Sequence, residues 1–306
     1  MDINGDGHSD IITGHYWPGD IFVFYGEGQG KFSAMANLKD ETGRNLNGGA
    51  PWASEAEPNM RSLAAAPYAT DFDLDGDFDM LIGNIEGSIV LIENIGSAKV
   101  PKFSKNRTVL QANGAPIRVG GGDSGPVYED WDQDGLRDLL SGAGDGSVMY
   151  YRNVGKPDAP KFAAGVALLP SSPDHGMKPI SAGQKPTRPM ARTKISVVDY
   201  NGDGQVDLLV GDLCAIQHPE PKLDAAQIAE REQLRTKRSE IEARMYKLWD
   251  ALDEGEPTKE QEQQLEAVSS EFDRVHRALE PLEARTTSHG FVWYYQRKPI
   301  TKAAKF

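Results

Sequence analysis

Apolar residues along the chain come in short runs. Four of them, IITG (11–14), MLIG (80–83), LLSG (139–142) and LLVG (208–211), end in Gly. Each is followed by a second, aromatic-rich run: IFVFYG, SIVLIEN, SVMYYRN or FVWYYQR. Runs of this length, rich in β-branched and aromatic side chains and bounded by turn pairs such as Asp145-Gly146, predict β-strands. Alternation inside SVMYYRN and FVWYYQR predicts strands buried between packed sheets, with Tyr150, Tyr151, Trp293 and Tyr294 mainly in the core.

Only one stretch carries a helical period. Leu234, Ile241, Met245, Leu248 and Leu252 lie at helical spacing, and Leu265, Val268, Phe272, Val275, Leu279 and Leu282 alternate by three and four. Gly255 and Pro257 break the two halves, and Thr258 with Gln261 forms a capping box. The pattern predicts an antiparallel helical hairpin, a coiled coil of two helices of about 27–30 residues and thus ~40–45 Å long. It is inserted between the second and third strands of the last unit, at residues 218–288.

The polar positions are equally ordered. DINGDGHSD, DFDLDGDFD, DWDQDGLRD and DYNGDGQVD start at Asp2, Asp71, Asp130 and Asp199, and all fit D-x-[DN]-x-D-G-x-x-D. Each precedes one of the four Gly-ended runs, and a Lys-Phe pair lies further on, at Phe32, Phe103, Phe162 and Phe306. The starts are 69, 59 and 69 residues apart, which makes this an internal repeat.

Calcium takes six to eight oxygens at about 2.3–2.6 Å, and carboxylates on alternate residues of a tight loop converge on one ion. Positions 1, 3, 5 and 9 supply side-chain oxygens: Asp2, Asn4, Asp6 and Asp10; Asp71, Asp73, Asp75 and Asp79; Asp130, Asp132, Asp134 and Asp138; Asp199, Asn201, Asp203 and Asp207. Position 7 varies (His8, Asp77, Leu136, Gln205), as expected if only its backbone carbonyl serves. Position 6 is always Gly. An EF-hand Glu at position 12 is missing, so each loop is closed by the Asp at position 9 and leads into a strand. Read blandly, these are solvated turns, but four or five uncompensated carboxylates within nine residues repel one another. The expectation is about four calcium ions; magnesium keeps more of its waters and uses fewer carboxylates.

Each unit reads as strand, acidic loop, strand, turn, strand, loop, strand. About 60 residues with four antiparallel strands, repeated, predict the blades of an all-β propeller, interrupted by the hairpin. Propeller blades are expected over residues 1–217 and 289–306. The segments AAPYATDFDLDGDFD and SGPVYEDWDQDGLRD resemble FG-GAP and VCBS repeats, found in integrin-α-type calcium-binding propellers. The resemblance covers nearly all the chain outside the hairpin. It implies rings with around seven blades and a ligand face opposite the metal loops. On that face are expected the hairpin, the long connections 39–62, 111–125 and 170–192, and the candidate ligand residues His15, Tyr16, Trp17 and Trp52. Because the chain opens inside its first loop and stops at Phe306, it is read as part of a larger ring. The calcium reading also points to an extracellular, cell-surface or periplasmic setting, where millimolar calcium fills even weak sites.

Charge and composition then set limits. The net charge is −13, of which the 218–288 segment, with 17 acidic and 11 basic residues, carries −6. Four calcium ions would bring the remainder close to neutral. The acidic balance argues against nucleic acid as a partner, and no run approaches the ~18 apolar residues of a membrane span. The one cysteine, Cys214, follows an apolar run and is read as a half-buried thiol, not a nucleophile. No HExxH, GxSxG or phosphate-cradling loop occurs. Three functions follow as expectations: a non-catalytic binding or adhesion scaffold for protein or glycan ligands; a polysaccharide lyase-like propeller, or the non-catalytic domain of a larger secreted enzyme; and an assembly module whose hairpin pairs with a partner helix.

Overall fold

The Gly-ended runs form the second strands of successive antiparallel sheets. The computed structural model describes residues 1–49, 62–173, 178–250 and 258–298. Trp52, Leu252, Gly255, Pro257 and Phe306 lie outside them.

Sheet 1 contains Ile11–Gly14, Ile21–Phe24 and Ala36–Asn37. Sheet 2 runs Ala66–Thr70, Asp79–Gly83, Ile89–Ile92, Thr108–Val109 in spatial and sequence order, with Tyr68 opposite Leu81 and Leu81 opposite Leu91. Sheet 3 repeats it with Gly125–Glu129, Asp138–Gly142, Val148–Tyr151 and Val166–Leu169, interrupted by a register shift between Val148 and Met149. In sheet 4, Ala191–Val198 and Val292–Tyr295 flank Asp207–Gln217. Four antiparallel strands per unit thus appear in full in sheets 2 and 3. Among the described residues sheet 1 has three, and sheet 4 gains short strands at Ile180–Ser181 and Thr286–His289.

Period 2 explains the core. In sheet 2, Met80, Ile82, Val90 and Ile92 face one side and pack with Ile21 and Val23 of sheet 1. Leu81, Ile89 and Leu91 face the other and pack with Tyr128, Leu139 and Tyr151 of sheet 3. Across sheet 3, Val148 joins Leu208 and Val210 of sheet 4, with Trp293 and Tyr295 against them. The central strands are buried on both faces, as the lack of polar alternation in MLIG and IVLI requires.

The terminal Gly of each second strand is where adjacent sheets meet. A Cβ on Gly14 would stand 2.0 Å from the Ala65 carbonyl oxygen, on Gly83 2.3 Å from that of Ser124, and on Gly142 2.1 Å from that of Thr193. Those carbonyls belong to the first strand of the next sheet or the residue just before it, so any side chain would push the sheets apart. At Gly211 the nearest atom is 3.7 Å away. Correspondingly, Ala66–Thr70 packs against Ile11–Gly14 on one side and Gly125–Glu129 on the other, and Gly125–Glu129 packs against Ala191–Val198.

By its contacts the chain divides into two units, one of residues 1–178, 186–214 and 289–306 and one of 179–185 and 215–288. The second holds helices α1 (Ala225–Asp250), described over 26 residues, and α2 (Lys259–Leu279), at 21 residues shorter than predicted. Ile241, Val268, Val275 and Leu279 are buried between them, with Leu234, Met245, Leu248 and Phe272 partly so. The Thr258–Gln261 capping box forms as expected. Arg235 and Arg238 reach Glu283 at 2.6 and 3.2 Å, and Arg244 reaches Glu271 at 2.9 Å. The strand predicted to end at Gly211 continues to Gln217, where Ile216 and Gln217 pair in parallel with Ile180 and Ser181. Among the described residues no helix is long and apolar enough to cross a membrane.

Candidate metal centre

Each acidic segment folds as a tight loop that caps itself. At position 6 the chain turns through the left-handed region, with φ of 90°, 97°, 91° and 84° at Gly7, Gly76, Gly135 and Gly204. Other residues resist this conformation, which accounts for the fourfold Gly. In loops one, three and four the carboxylate at position 1 accepts from the backbone N–H groups at positions 5 and 6. Those distances are 3.1 and 2.8 Å at Asp2, 3.1 and 3.0 Å at Asp130, and 3.1 and 2.9 Å at Asp199. In all four, the N–H at position 7 donates to the Asp at position 5. These bonds lower the carboxyl pKa of Asp6, chiefly through the His8 N–H, and of Asp203, chiefly through the Gln205 N–H.

The Asp at position 9 does more than close the loop. Asp10, Asp79, Asp138 and Asp207 are all buried. One oxygen of each accepts the backbone N–H of a residue just past the third strand: Gly26, Asn94, Asn153 and Arg297, at 2.7, 2.7, 2.7 and 2.8 Å. The other accepts from the start of its own loop in the first three copies (Ile3, Phe72 and Asp132 N–H). Tyr150 and Tyr294 donate their hydroxyls to Asp138 and Asp207 at 3.1 and 3.0 Å. Thus Tyr151 is core as expected, but Tyr150 is half-buried and turned to the loop, and Tyr294 is exposed.

Loop two departs from its siblings. Among the described residues no backbone N–H caps Asp71; Asp71, Asp73 and Asp75 instead bring one oxygen each to within 4.8 Å of one another. Burial, then the neighbouring Asp75, Asp73 and Asp71 charges, raises the Asp77 carboxyl to about 6. Burial also raises Asp79 to about 7 and Asp138 to about 6. In loop three, Asp130, Asp132 and Asp138 converge within the same 4.8 Å. There Arg152 lays its Nε 2.6 Å from Asp132 and its Nη2 2.8 Å from Asp134. A second guanidinium, that of Arg297, stacks 4.9 Å from the Trp131 ring centre and donates to the Trp131 carbonyl.

Whether these loops suit a hard cation can be judged from the atoms that lack partners. Among the described residues, six buried side-chain polar atoms have no hydrogen bond, and four are oxygens of the loops: Asp71 Oδ1, Asp77 Oδ1, Asp132 Oδ1 and Gln205 Oε1. A buried acceptor without a donor is costly, and oxygen is the donor atom calcium prefers. The residues fit such an ion. Two of these oxygens sit at position 7, where only the backbone carbonyl had been expected to serve; in Asp77 and Gln205 the side chain is available as well. Neither Arg152 nor the tyrosine hydroxyls were foreseen from the sequence.

Residues 130–210, from the start of loop three through loop four, match the model of the FG-GAP-like repeat. The chain carries an FG-GAP-like repeat. No curated protein matches it. The FG-GAP-like segment covers loop three and the second to fourth strands of sheet 3, then the first strand, the acidic loop and the start of the second strand of sheet 4; loops one and two share its Gly turn and its buried Asp at position 9.

The candidate ligand residues sit elsewhere. His15, Tyr16 and Trp17 form the turn joining Ile11–Gly14 to Ile21–Phe24, at the end of the first strand away from loop one. His15 packs edge-on against Phe22 at 5.8 Å, while Tyr16 and Trp17 are about half exposed. Cys214 is fully buried and its thiol is pushed up by burial, so the half-buried reading understates its enclosure. Lys194 and Tyr68 line a cavity between the first strands of sheets 2, 3 and 4. The Lys194 ammonium lies 2.8 Å from the Asp123 carbonyl, 3.0 Å from its carboxylate and 3.2 Å from the Ser124 carbonyl. The Tyr68 hydroxyl donates to Glu129 at 2.9 Å.

Proposed function

We propose that the chain is a calcium-stabilised, non-catalytic β-propeller segment that acts as a binding scaffold for protein or glycan ligands at a cell surface or outside the cell. The observation that carries it is the set of unpartnered buried oxygens on the acidic loops. A divalent ion supplies the charge those oxygens lack and ties each loop to the strands on either side of it. The stacking of successive sheets through close-approach glycines supports the propeller reading, as does the match to an FG-GAP-like repeat. Filled loops make the sheets stiff, leaving the turns and connections at the other strand ends free to carry recognition.

A lyase needs an available base beside an acid in a cleft. Lys194 in the cavity already has three oxygens around its ammonium, and Tyr68 is bonded to Glu129 with its pKa raised by burial first. This favours the scaffold. The test is calcium titration by calorimetry, followed by glycan- and protein-array binding with calcium and with chelator. Calcium uptake with ligand capture supports the reading. No calcium uptake overturns the metal role, and calcium-dependent cleavage of acidic glycans overturns the non-catalytic role.

A further inference from the structure

Asn94, Asn153 and Arg297 share one duty, donating a backbone N–H to the Asp at position 9 of their loop, and Gly26 does the same in sheet 1. The residue just before each of them is Tyr25, Glu93, Arg152 or Gln296. This seat holds four different chemistries at the same place in four copies. In loop three its side chain reaches the carboxylate at position 5, Arg152 meeting Asp134 at 2.8 Å. In loop two the same register position carries Glu93, which is exposed.

We propose that this seat tunes the cation affinity of its loop, and that Arg152 makes loop three a weak site that fills after loop two. The inference rests on the calcium reading above. A guanidinium on Asp132 and Asp134 already neutralises two of the oxygens an incoming ion would use, so binding there must displace it or share Asp132 with it. What still points to a cation in loop three is the buried, unpartnered Asp132 Oδ1 beside Asp130 and Asp138. Loop two is the opposite case. Asp77 is 6% exposed with Oδ1 unpartnered. Among the described residues no Lys or Arg pairs with a loop-two carboxylate; Arg137 donates instead to the Asp71 carbonyl and the Thr70 hydroxyl. By register, Glu93 puts an exposed carboxylate, not a cation, at the seat of this loop. Gln296, neutral, leaves loop four between the two. A neighbouring unit charge shifts such equilibria by about tenfold or more, and the seat changes that charge from −1 to +1.

Loop three carries its own reporter. Position 2 holds Ile3, Phe72, Trp131 and Tyr200, so terbium in loop three is sensitised through Trp131, and Trp131→Phe identifies that signal. Terbium titrations and calcium calorimetry are run on the full chain, its Arg152→Gln and Arg152→Lys variants, and Glu93→Arg. Arg152→Gln is expected to tighten the Trp131-sensitised site about tenfold, with Arg152→Lys keeping it weak. Glu93→Arg is expected to weaken one calcium site by a similar factor without touching the Trp131 signal. If Arg152→Gln does not fold, as read by circular dichroism, Glu93→Arg at its exposed position decides. Calcium uptake by the wild type with unchanged affinities in the variants overturns the tuning role alone. No uptake of either ion by any form overturns both it and the calcium reading.

Discussion

Loops two and three share a pattern, a turn and a buried Asp at position 9, yet they handle their charge in opposite ways. Loop two has five carboxylates and, among the described residues, no Lys or Arg paired with them; burial first, then the neighbouring Asp charges, raises Asp77 to about 6, and burial raises Asp79 to about 7. Loop three replaces one of those carboxylates with Leu136 and answers two others with Arg152. The nine-residue motif specifies the shape of the loop. The residue immediately beyond the third strand decides how much charge an ion must still supply.

The largest expected effect is removal of the ion. Each site held at a hundredfold excess over its Kd stabilises by about 2.7 kcal/mol, so a chelator should lower Tm by many degrees. Identical melts with chelator and with millimolar calcium would show that the loops stand without it. Next is the feature both loops share. Asp79→Ala strips the Phe72 and Asn94 N–H groups of their acceptor, and Asp138→Ala does so for Asp132 and Asn153. Each should cost about 2–3 kcal/mol in urea unfolding, and a neutral result for either would remove its structural role.

Smaller, and aimed at the difference itself, is the pair Asp75→Ala and Asp134→Ala. The first should abolish more of the Tm gain at low calcium, because loop three contributes less there; equal losses would make the loops equivalent. The smallest effect is on pH. Asp77, Asp79 and Asp138 have folded pKa values above their unfolded ones, so between about pH 4 and pH 7 the metal-free folded state binds more protons than the unfolded chain. Its stability should therefore rise on acidification from pH 7.5 to pH 5, giving a Tm a few degrees higher. With calcium the trend should reverse, since the ion needs the carboxylates ionised. A metal-free Tm that falls over this interval contradicts the raised values.

Much of this was legible in the residues. The loops could be read because liganding and turning are local: carboxylates on alternate positions and a Gly at a left-handed φ declare themselves within nine residues. The strands could be read because burial on two faces leaves MLIG and IVLI without polar breaks. Arg152 could not, because it lies some twenty residues past Asp132 and only the strand register brings it back. The same holds for Tyr150, whose ring fits the aromatic core pattern while its hydroxyl serves Asp138. Helix α2 ends sooner than its apolar spacing suggests, since Leu282 keeps the period in a short 3-10 turn beyond it. In the first sheet, Ala36–Asn37 is too short and too polar to announce itself as a strand.

The glycines at the ends of the second strands carry a consequence for how such a chain could arise. Gly14, Gly83 and Gly142 each make room for the sheet that follows, so the fitting between neighbours is written inside every copy of the repeat. Duplicating the gene segment therefore duplicates the joint, and a newborn copy would dock at once on the one before it. Lengthening the array would need no matched change in two surfaces. The seat before Asn94 or Asn153 could then drift freely, giving each descendant loop its own appetite for metal while the stack stays intact.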